Sequence, residues 1–536
     1  METDYVIIGS GINSLVAAAE LARSGASVTL LEESDRLGGF IDSAELTVPG
    51  FIHDTFSSWH PLFVSGGAYA ELGQELHDRG LQYCNTEDVN TPWVCASIGT
   101  DARGNTTTVL AQRDPEATAA AFEHEEDRQA YAQMLEDFGK QAPVIFGALG
   151  SEMNLTNAAK LGFKTIRMGI DNAQALVRQG LMSGRNLTRG SFTGNETDQL
   201  WAPWLLHAGI GPEQASGGVM LPVMAASMHQ FGLPVVKGGA GRFIESFESL
   251  LRDHGVQIRT NTRALGVLVA DGRATAVRTE NETFTAGKGI VASVSVPQLY
   301  EELLDTAVVK ETAAAQARAH RPGRAAMQIH LALSGPVPWT DERLAQTPLI
   351  HISTGSDSTA IACAQAEAGL LPANPTIVVG QQCVLDPSRA PAGQATLWLQ
   401  LQELPFEPVG DAAGQLEASG GWNAELTEAY LQRVLGQIEQ YAPGLKELVL
   451  GSKVFTPADL SHENRNAVAG DPYGGSAELY QNLLWRPLPR LGKGRSPVKN
   501  LWHIGAATHP GPGLGGGSGH LVAQQLIRSA KRSRKA

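Results

Sequence analysis

The chain is short of cysteine, of aromatic residues and of long apolar runs, and each shortage narrows what it can be. Its four cysteines, Cys84, Cys95, Cys363 and Cys383, are scattered over 536 residues without a CxxC pair. That sets aside zinc ribbons and redox-active disulfides. No GxSxG elbow, HExxH helix or GxxxxGK[ST] loop occurs, so the usual signals for hydrolase, zinc protease and phosphoryl-transfer chemistry are missing. The 14 histidines show no ligand spacing, and no metal site is expected. No stretch approaches the roughly 20 apolar residues of a membrane span, and the first apolar run, Tyr5 to Ile8, is too short for a signal peptide. A cytoplasmic protein is expected. Positive charge is scarce too: 41 basic against 55 acidic residues leave a net charge of −14, which argues against a nucleic-acid partner. The one basic cluster is the tail Lys531, Arg532, Arg534 and Lys535. It leaves peripheral contact with the anionic inner face of a membrane open, although no strongly amphipathic anchor is read alongside it.

What is present is globular. Hydrophobic residues make up 43% and charged residues 18%, and the length holds two or three domains. Asp4 to Ile8 reads as a buried parallel strand running into Gly9, followed by an alanine-rich helix to about Ser24, a break at Gly25 and a second strand, Ser27 to Leu31. This is a βαβ unit with a dinucleotide fingerprint. Gly9 makes the tight turn and Gly11 admits a pyrophosphate. Ile12, Asn13 and Ser14 open a helix whose N-terminal amides face it. Serine replaces glycine at the third fingerprint position, where a small residue still permits close helix–strand packing. Glu32, 21 residues after Gly11, stands where an acid holds a ribose hydroxyl and disfavours a 2′-phosphate. The fingerprint alone does not separate FAD from NAD. Glu33 and Arg36 lead into the pair Gly38 and Gly39, and a glycine pair directly after the second strand resembles the glutathione reductase and amine oxidase flavoproteins.

Further along, Lys237-Gly-Gly-Ala-Gly241 introduces an amphipathic helix closed by His254 and Gly255. Short strands follow at Val256 to Arg259, Ala264 to Ala270 and Ala274 to Arg278, and strand character continues from Thr283 to Ser293. Seven of nine methionines fall between about Ala130 and Gln230: Met134, Met153, Met168, Met182, Met220, Met224 and Met228. The last three repeat every fourth residue along a helix, beside Trp201 and Trp204. Flexible, polarisable methionines suit a pocket for a long apolar ligand and suit ordinary core packing equally well. Gln328 to Leu333 and Thr396 to Leu401 read as strands, and Trp422 to Tyr441 as a helix. From Gly505 to Gly519 there are seven glycines, one histidine (His509) and no acidic or basic side chain, between an expected strand, Lys499 to Ile504, and a helix from Ser518 to about Arg528.

The N-terminal unit, Pro49-Gly-Phe51-Ile-His-Asp54, Lys237 to Gly241, Thr456-Pro-Ala-Asp-Leu460 and the terminal glycine stretch together resemble the phytoene-desaturase-like FAD oxidoreductases. That group contains carotenoid desaturases, carotene isomerases and limonene dehydrogenase-like members. The likeness is closest to its branch of pyridine nucleotide-disulfide oxidoreductase domain proteins, although no CxxC exists here for disulfide chemistry.

The resemblance implies FAD as cofactor and an α/β fold, with a Rossmann-like FAD-binding domain of the glutathione reductase/amine oxidase type interleaved with an α+β substrate domain. FAD-binding segments are expected at 1–75, 231–297 and 491–536, a helical, membrane-facing substrate segment at 76–230, and a substrate-domain sheet with helices at 298–490. It implies that Val267 contacts the adenine. Gly505 and Ala506 would pass under the ribityl chain and pyrophosphate, Pro510 would lie beside the ring system, and Gly513, Leu514, Gly515 and Gly516 would lie against the flavin ring. Met220, Met224 and Trp204 are expected to meet a hydrophobic small-molecule substrate. The reaction implied is hydride transfer from an isoprenoid such as a carotenoid or terpene to flavin N5, with oxygen, a quinone or a protein carrier as final electron acceptor. His509 is the first candidate base, with His60 and Asp54 behind it. Three alternatives stay open: a redox-neutral isomerase; an amine or amino-acid oxidase, with Arg242, Arg324 or Arg486 as carboxylate ligand; and a non-catalytic flavin subunit. Homo- or hetero-oligomers fit each of them.

Overall fold

Two seven-stranded sheets organise the computed structural model, which describes residues 2–152, 155–489 and 494–533. The first is built where the apolar β runs of the N-terminal unit predict it. Glu2–Ile8 lies between Val28–Leu31 and Thr283–Ala292, all parallel, with Gln257–Arg259 beyond the one and Leu501–His503 beyond the other. Gly266–Ala270 and Arg273–Arg278 turn back antiparallel onto Thr283–Ala292. Strands more than 200 residues apart in sequence therefore pair edge to edge, and the chain crosses between this sheet and the second one repeatedly.

The helix Ile12–Arg23 lies on the parallel sheet with its alanines fully buried. Small side chains let two further helices, Gly241–Asp253 and Gly517–Ser533, pack close against it. Phe243, Phe247, Leu250 and Leu251 fill the space between helix and sheet, as the amphipathic spacing requires.

The second sheet runs in the order Val449–Phe455, Ala325–Leu333, Ala395–Leu404, Ile377–Gly380, Leu349–Ile352, Trp93–Thr100, Thr106–Gln112. Its last two strands belong to the segment read from sequence as helical. Their alternation is weak because six consecutive residues, Val94 to Gly99, are buried. Four more elements here went unread: Leu349–Ile352, Ile377–Gly380 and Val449–Phe455, and the helix Ser356–Glu367. The first two strands are only four residues long, too short for periodicity to separate strand from helix. The helix Ala424–Glu439 covers one face of this sheet with Leu426, Tyr430, Leu431, Val434 and Ile438. Over its other side lie the long helix Glu125–Leu149, the methionine helix Gly217–Phe231 and, outside them, a pair of helices, Leu155–Arg167 and Ile170–Leu181. No described helix is long and apolar enough to cross a membrane.

Candidate active site

The turn between the first strand and first helix has the geometry of a phosphate cradle. Gly9 adopts φ +84°, a backbone state open to glycine, and a Cβ on it would stand 2.9 Å from the Ser293 carbonyl oxygen. Gly11, at the helix N-cap with φ −61°, is different. A Cβ there would meet nothing within 4 Å, so no protein packing requires glycine at this position. Gly39 comes in from the side, its Cβ direction 3.5 Å from the Gly11 Cα. Ser14 is fully buried, and among the described residues its hydroxyl has no partner. Bare backbone facing open space at a helix N-terminus, with a buried unpaired hydroxyl beside it, fits a dinucleotide pyrophosphate.

Glu32 caps the second strand and is 9% exposed. Its Oε2 accepts from the Ser10 amide (2.8 Å) and hydroxyl (2.6 Å), and its Oε1 from the Ser34 amide and hydroxyl, both 2.9 Å. The carboxylate is thus oriented by the turn itself, and a ribose hydroxyl would share it with Ser10 and Ser34. Neither serine was singled out from sequence, because both occupy variable positions of the fingerprint. Val267 is on the edge strand of the sheet, its side chain buried in one core with Ile8 and Leu31. Glu33 and Arg36 are placed more on the surface. Glu33 pairs with Arg263 and Arg465 at 3.8 and 3.9 Å. Arg36 pairs with Asp42 at 3.2 Å and donates to the Gly39 carbonyl. Arg36 also lines a surface cleft of about 610 Å3, with Asp42, Ile52, Gly241, Arg242 and Glu245 among the other walls. Neither Gly11 nor any residue of the C-terminal glycine stretch lines that cleft, so it is separate from the cofactor groove.

The C-terminal stretch meets the N-terminal turn directly. The Ser518 hydroxyl donates to Asn13 Oδ1 at 2.8 Å and accepts from the Gly505 amide at 2.8 Å, and the Gly519 amide donates to the same Asn13 oxygen at 3.2 Å. Two turns on, the buried Glu20 binds His520 (2.6 Å) and Gln524 (2.9 Å). Asn13 therefore joins the two halves of the site. The glycines here serve packing as well as any ligand. A Cβ on Gly516 would stand 2.7 Å from Val16 Cγ2, one on Gly517 2.9 Å from Pro510, and one on Gly515 3.3 Å from the Leu62 carbonyl oxygen. Gly513 faces Leu62 as closely, and Leu514 packs against the core of the nucleotide-binding layer.

Beneath this loop lies Arg486, which is 2% exposed and donates to the Ala506 carbonyl through Nε (3.2 Å) and Nη2 (2.7 Å), and to the Tyr473 carbonyl at 2.7 Å. Burial pushes its guanidinium down to about 10, against the attraction of Asp471. Of the other arginines weighed for a carboxylate, Arg242 pairs with Glu245, and Arg324 with Glu367 and the Gly209 carbonyl.

The three candidate bases part company. Asp54 is 1% exposed and locked in an ion pair with Arg389 at 2.7 Å; it also accepts from the Ala240 amide and the Ser58 hydroxyl. Arg389, itself 1% exposed, binds Asp386 and the Val236 carbonyl as well. This network fastens the Lys237–Gly241 turn to the second domain, a structural task that corrects the catalytic expectation for Asp54. No sequence pattern pointed to Arg389. His60 is fully buried between Phe243 and Tyr83, 3.0 Å from the tyrosine hydroxyl. Burial, then the charge of Arg389, drives its imidazole down to about 3. It is a core histidine, not a base facing a cavity.

His509 differs. Its Nε2 lies 3.0 Å from the Ala148 and Ser151 carbonyls, which can only accept, so Nε2 carries the proton and Nδ1 a lone pair. Nδ1 has no partner among the described residues. Burial holds the group below the ordinary histidine range, so it is neutral at pH 7.

The same end of the long helix touches the methionines: Ile145 and Leu149 pack with Val219, Met220 and Val223. Met220 and Met224 also border one apolar cluster with Trp204, Trp201 and Trp398. Trp204 in turn faces His207 and the buried His351, whose Nε2 atoms are 3.0 Å apart. Met153 lies outside the described residues. The described residues contain no cluster of three or more metal-ligating side chains.

This architecture is shared with known proteins. The model of the flavin containing amine oxidoreductases matches residues 15–527. A rat protein, pyridine nucleotide-disulfide oxidoreductase domain-containing protein 2, is 25% identical over 99% of this chain and 94% of its own. The lycopene-forming phytoene desaturase of Pseudescherichia vulneris is 26% identical over 57% of this chain and 58% of its own. Among solved structures, an oxidoreductase from Methanosarcina mazei superposes with a TM-score of 0.61 at 15% identity, covering 98% of this chain and all of that one. The chain belongs to the flavin containing amine oxidoreductase family, and it is an FAD-dependent oxidoreductase.

Proposed function

We propose that the protein dehydrogenates an apolar, isoprenoid-like substrate. One observation carries the reading: the terminal turn of the helix Glu125–Leu149 holds a neutral, half-free imidazole and an apolar methionine face side by side. The desaturase relatives of the family support it, since a saturated isoprenoid offers only C–H bonds and no polar handle. FAD, when bound, supplies the acceptor for the hydride and passes the electrons to oxygen, a quinone or a protein carrier.

Gly11, Ser14 and the amides that open the first helix would hold the pyrophosphate, and Glu32 a ribose hydroxyl. Asn13 and Ser518 keep the two glycine-rich segments in register around it. Arg486 fixes the Ala506 peptide that follows the last strand. Met220, Met224 and Trp204 would exclude water and bind the substrate by area alone, adapting to its shape. His509 Nδ1 would take the proton from the carbon next to the one losing hydride. The Ala148 and Ser151 carbonyls stabilise the imidazolium so formed, as each accepts from Nε2.

The test is anaerobic titration of the purified holoprotein with acyclic terpenes, carotenoids and primary amines, read at the flavin absorption band. Bleaching by an isoprenoid is expected. Bleaching by amines with none by isoprenoids would establish the amine oxidase reading in its place. His509→Gln is expected to slow the bleaching by roughly 100-fold or more without weakening substrate binding. Unchanged bleaching would remove His509 from the chemistry.

A further inference from the structure

Arg486 fixes a peptide in the scheme above, but its charge has no use there. The guanidinium donates to the carbonyls of Ala506, Tyr473 and Gly474, the last at 3.5 Å. All three are neutral dipoles. No carboxylate pairs with it among the described residues, and its Nη1 has no hydrogen-bond partner there. Asp471 attracts it without forming an ion pair. The oxygens of that carboxylate accept instead from the Gly323, Tyr473 and Gly475 amides, each at 2.7 Å. Buried charges are ordinarily paired, because a cation taken out of water without a counter-ion is costly to keep. Arg486 is the exception in this fold that lies against the cofactor groove.

Its place gives the charge a direction. Arg486 grips the turn between the last strand and the last helix at Ala506, and a Cβ on Gly511 would stand 3.9 Å from its Nε. Ala506 and Gly511 bracket His509 and Pro510, the residues expected beside the flavin ring. Gly505, one residue before Ala506, is tied through Ser518 to Asn13 in the first turn of the nucleotide-binding helix. The stretch from Gly505 to Gly519 contains no acidic residue. The two imidazoles in the field of Arg486, His320 and His509, are held below the ordinary histidine range by burial and, to a smaller extent, by Arg486 itself. Neither adds a charge at pH 7. The turn beside the ring therefore rests on one buried cation that no paired acid cancels.

We propose that Arg486 makes the bound FAD a stronger oxidant: its unpaired charge acts on the flavin end of the cofactor and favours the reduced form over the oxidised one. In a water-poor interior such a field reaches further than in solvent and is little screened by salt. Charge near the reacting nitrogens is a lever by which a protein tunes flavin electronics. For the unactivated C–H bonds of an isoprenoid, the same charge would strengthen the hydride acceptor. That consequence rests on the proposed function, whereas the potential rests only on FAD.

The test is the reduction potential of the FAD-loaded full-length protein, read by anaerobic equilibration with a reference dye. Wild-type protein is expected to hold FAD at a potential above that of free FAD in the same buffer. Arg486→Met keeps the apolar stem and removes the charge. It should lower the preference for reduced over oxidised FAD about 30-fold, or about 45 mV for a two-electron couple. Arg486→Lys keeps the charge and loses the fork, so it should retain most of the wild-type potential while its melting temperature falls. Two results overturn the proposal: a wild-type potential at or below that of free FAD, or equal shifts in the methionine and lysine variants, which would leave Arg486 a structural residue. Affinity of the apoproteins for oxidised FAD is measured alongside. A methionine variant with weakened affinity and an unchanged potential would also overturn it, assigning the charge to the pyrophosphate. The wild-type comparison stands whether or not the methionine variant folds. Dyes take the place of substrate throughout, so failure of the isoprenoid reading is seen separately.

Discussion

Alanine at Gly519 tests whether the two halves of the cofactor site are one mechanical unit. The Gly519 Cα sits on the N-terminal turn of the first helix, and its amide donates to Asn13 Oδ1 at 3.2 Å. A methyl group there would overlap the Asn13 carbonyl oxygen and lie 2.7 Å from its carbon and 2.9 Å from the Asn13 Cα. All of these atoms are backbone, which no rotamer change can move aside. Ordinary carbon contacts need roughly 3.5 Å, so the first and last helices must separate by about 1 Å or more. Overpacking of this kind costs about 3 kcal/mol. Loss of the two bonds to Asn13 Oδ1 adds about 1 kcal/mol each, for a total of about 5 kcal/mol. Guanidinium unfolding followed by circular dichroism should report that loss, and FAD titration by flavin fluorescence should show affinity weakened at least about tenfold. Gly139→Ala is the control. It lies within a helix, its Cβ meets nothing within 4 Å, and the change should be neutral or stabilise by up to about 1 kcal/mol. Unchanged unfolding and unchanged FAD affinity in Gly519→Ala would refute the packing argument.

Gly11→Ala should do the reverse. Its φ of −61° suits alanine and nothing lies within 4 Å, so the apoprotein should unfold within about 0.5 kcal/mol of wild type, while FAD affinity falls at least about tenfold. A stability loss matching that of Gly519→Ala would show that Gly11 serves packing after all. Acid should unfold the protein early, because burial holds His53, His207, His320 and His503 down to about 4 and His60 and His330 to about 3. The unfolded chain takes up these protons near pH 6.5 and the folded one does not, so their stabilisation is complete above pH 6.5 and is lost as pH falls towards 4. At pH 5 each has forfeited about 2 kcal/mol, together comparable to a whole folding free energy. Denaturant midpoints flat from pH 7 to pH 5 would contradict those buried, neutral imidazoles.

The sequence by itself determined the nucleotide-binding layer. Gly9, Gly11, Glu32 and the strand–helix–strand periodicity are local features, fixed by backbone conformation and by residues within about 25 positions of one another, and they stand where the pattern places them. The same holds for the helix closed by Gly255 and the strands on either side of the Asp271–Gly272 turn. The C-terminal glycines were legible as a site but not as a joint, since the contact that demands glycine at 519 is made by Asn13, 506 residues away. Asp54 and His60 looked like chemistry because polar side chains near a glycine pair carry no mark of burial. Only the tertiary structure gives Asp54 its partner Arg389, 335 positions later in the chain, and seals His60 behind Phe243. His509 was legible as a position, whereas its protonated nitrogen was not, because Ala148 and Ser151 choose the tautomer. The outward apolar face of the helical pair 155–181 was hidden for a related reason. Apolar residues at helical spacing look the same whether or not a core covers them, and only packing shows which face the fold leaves exposed.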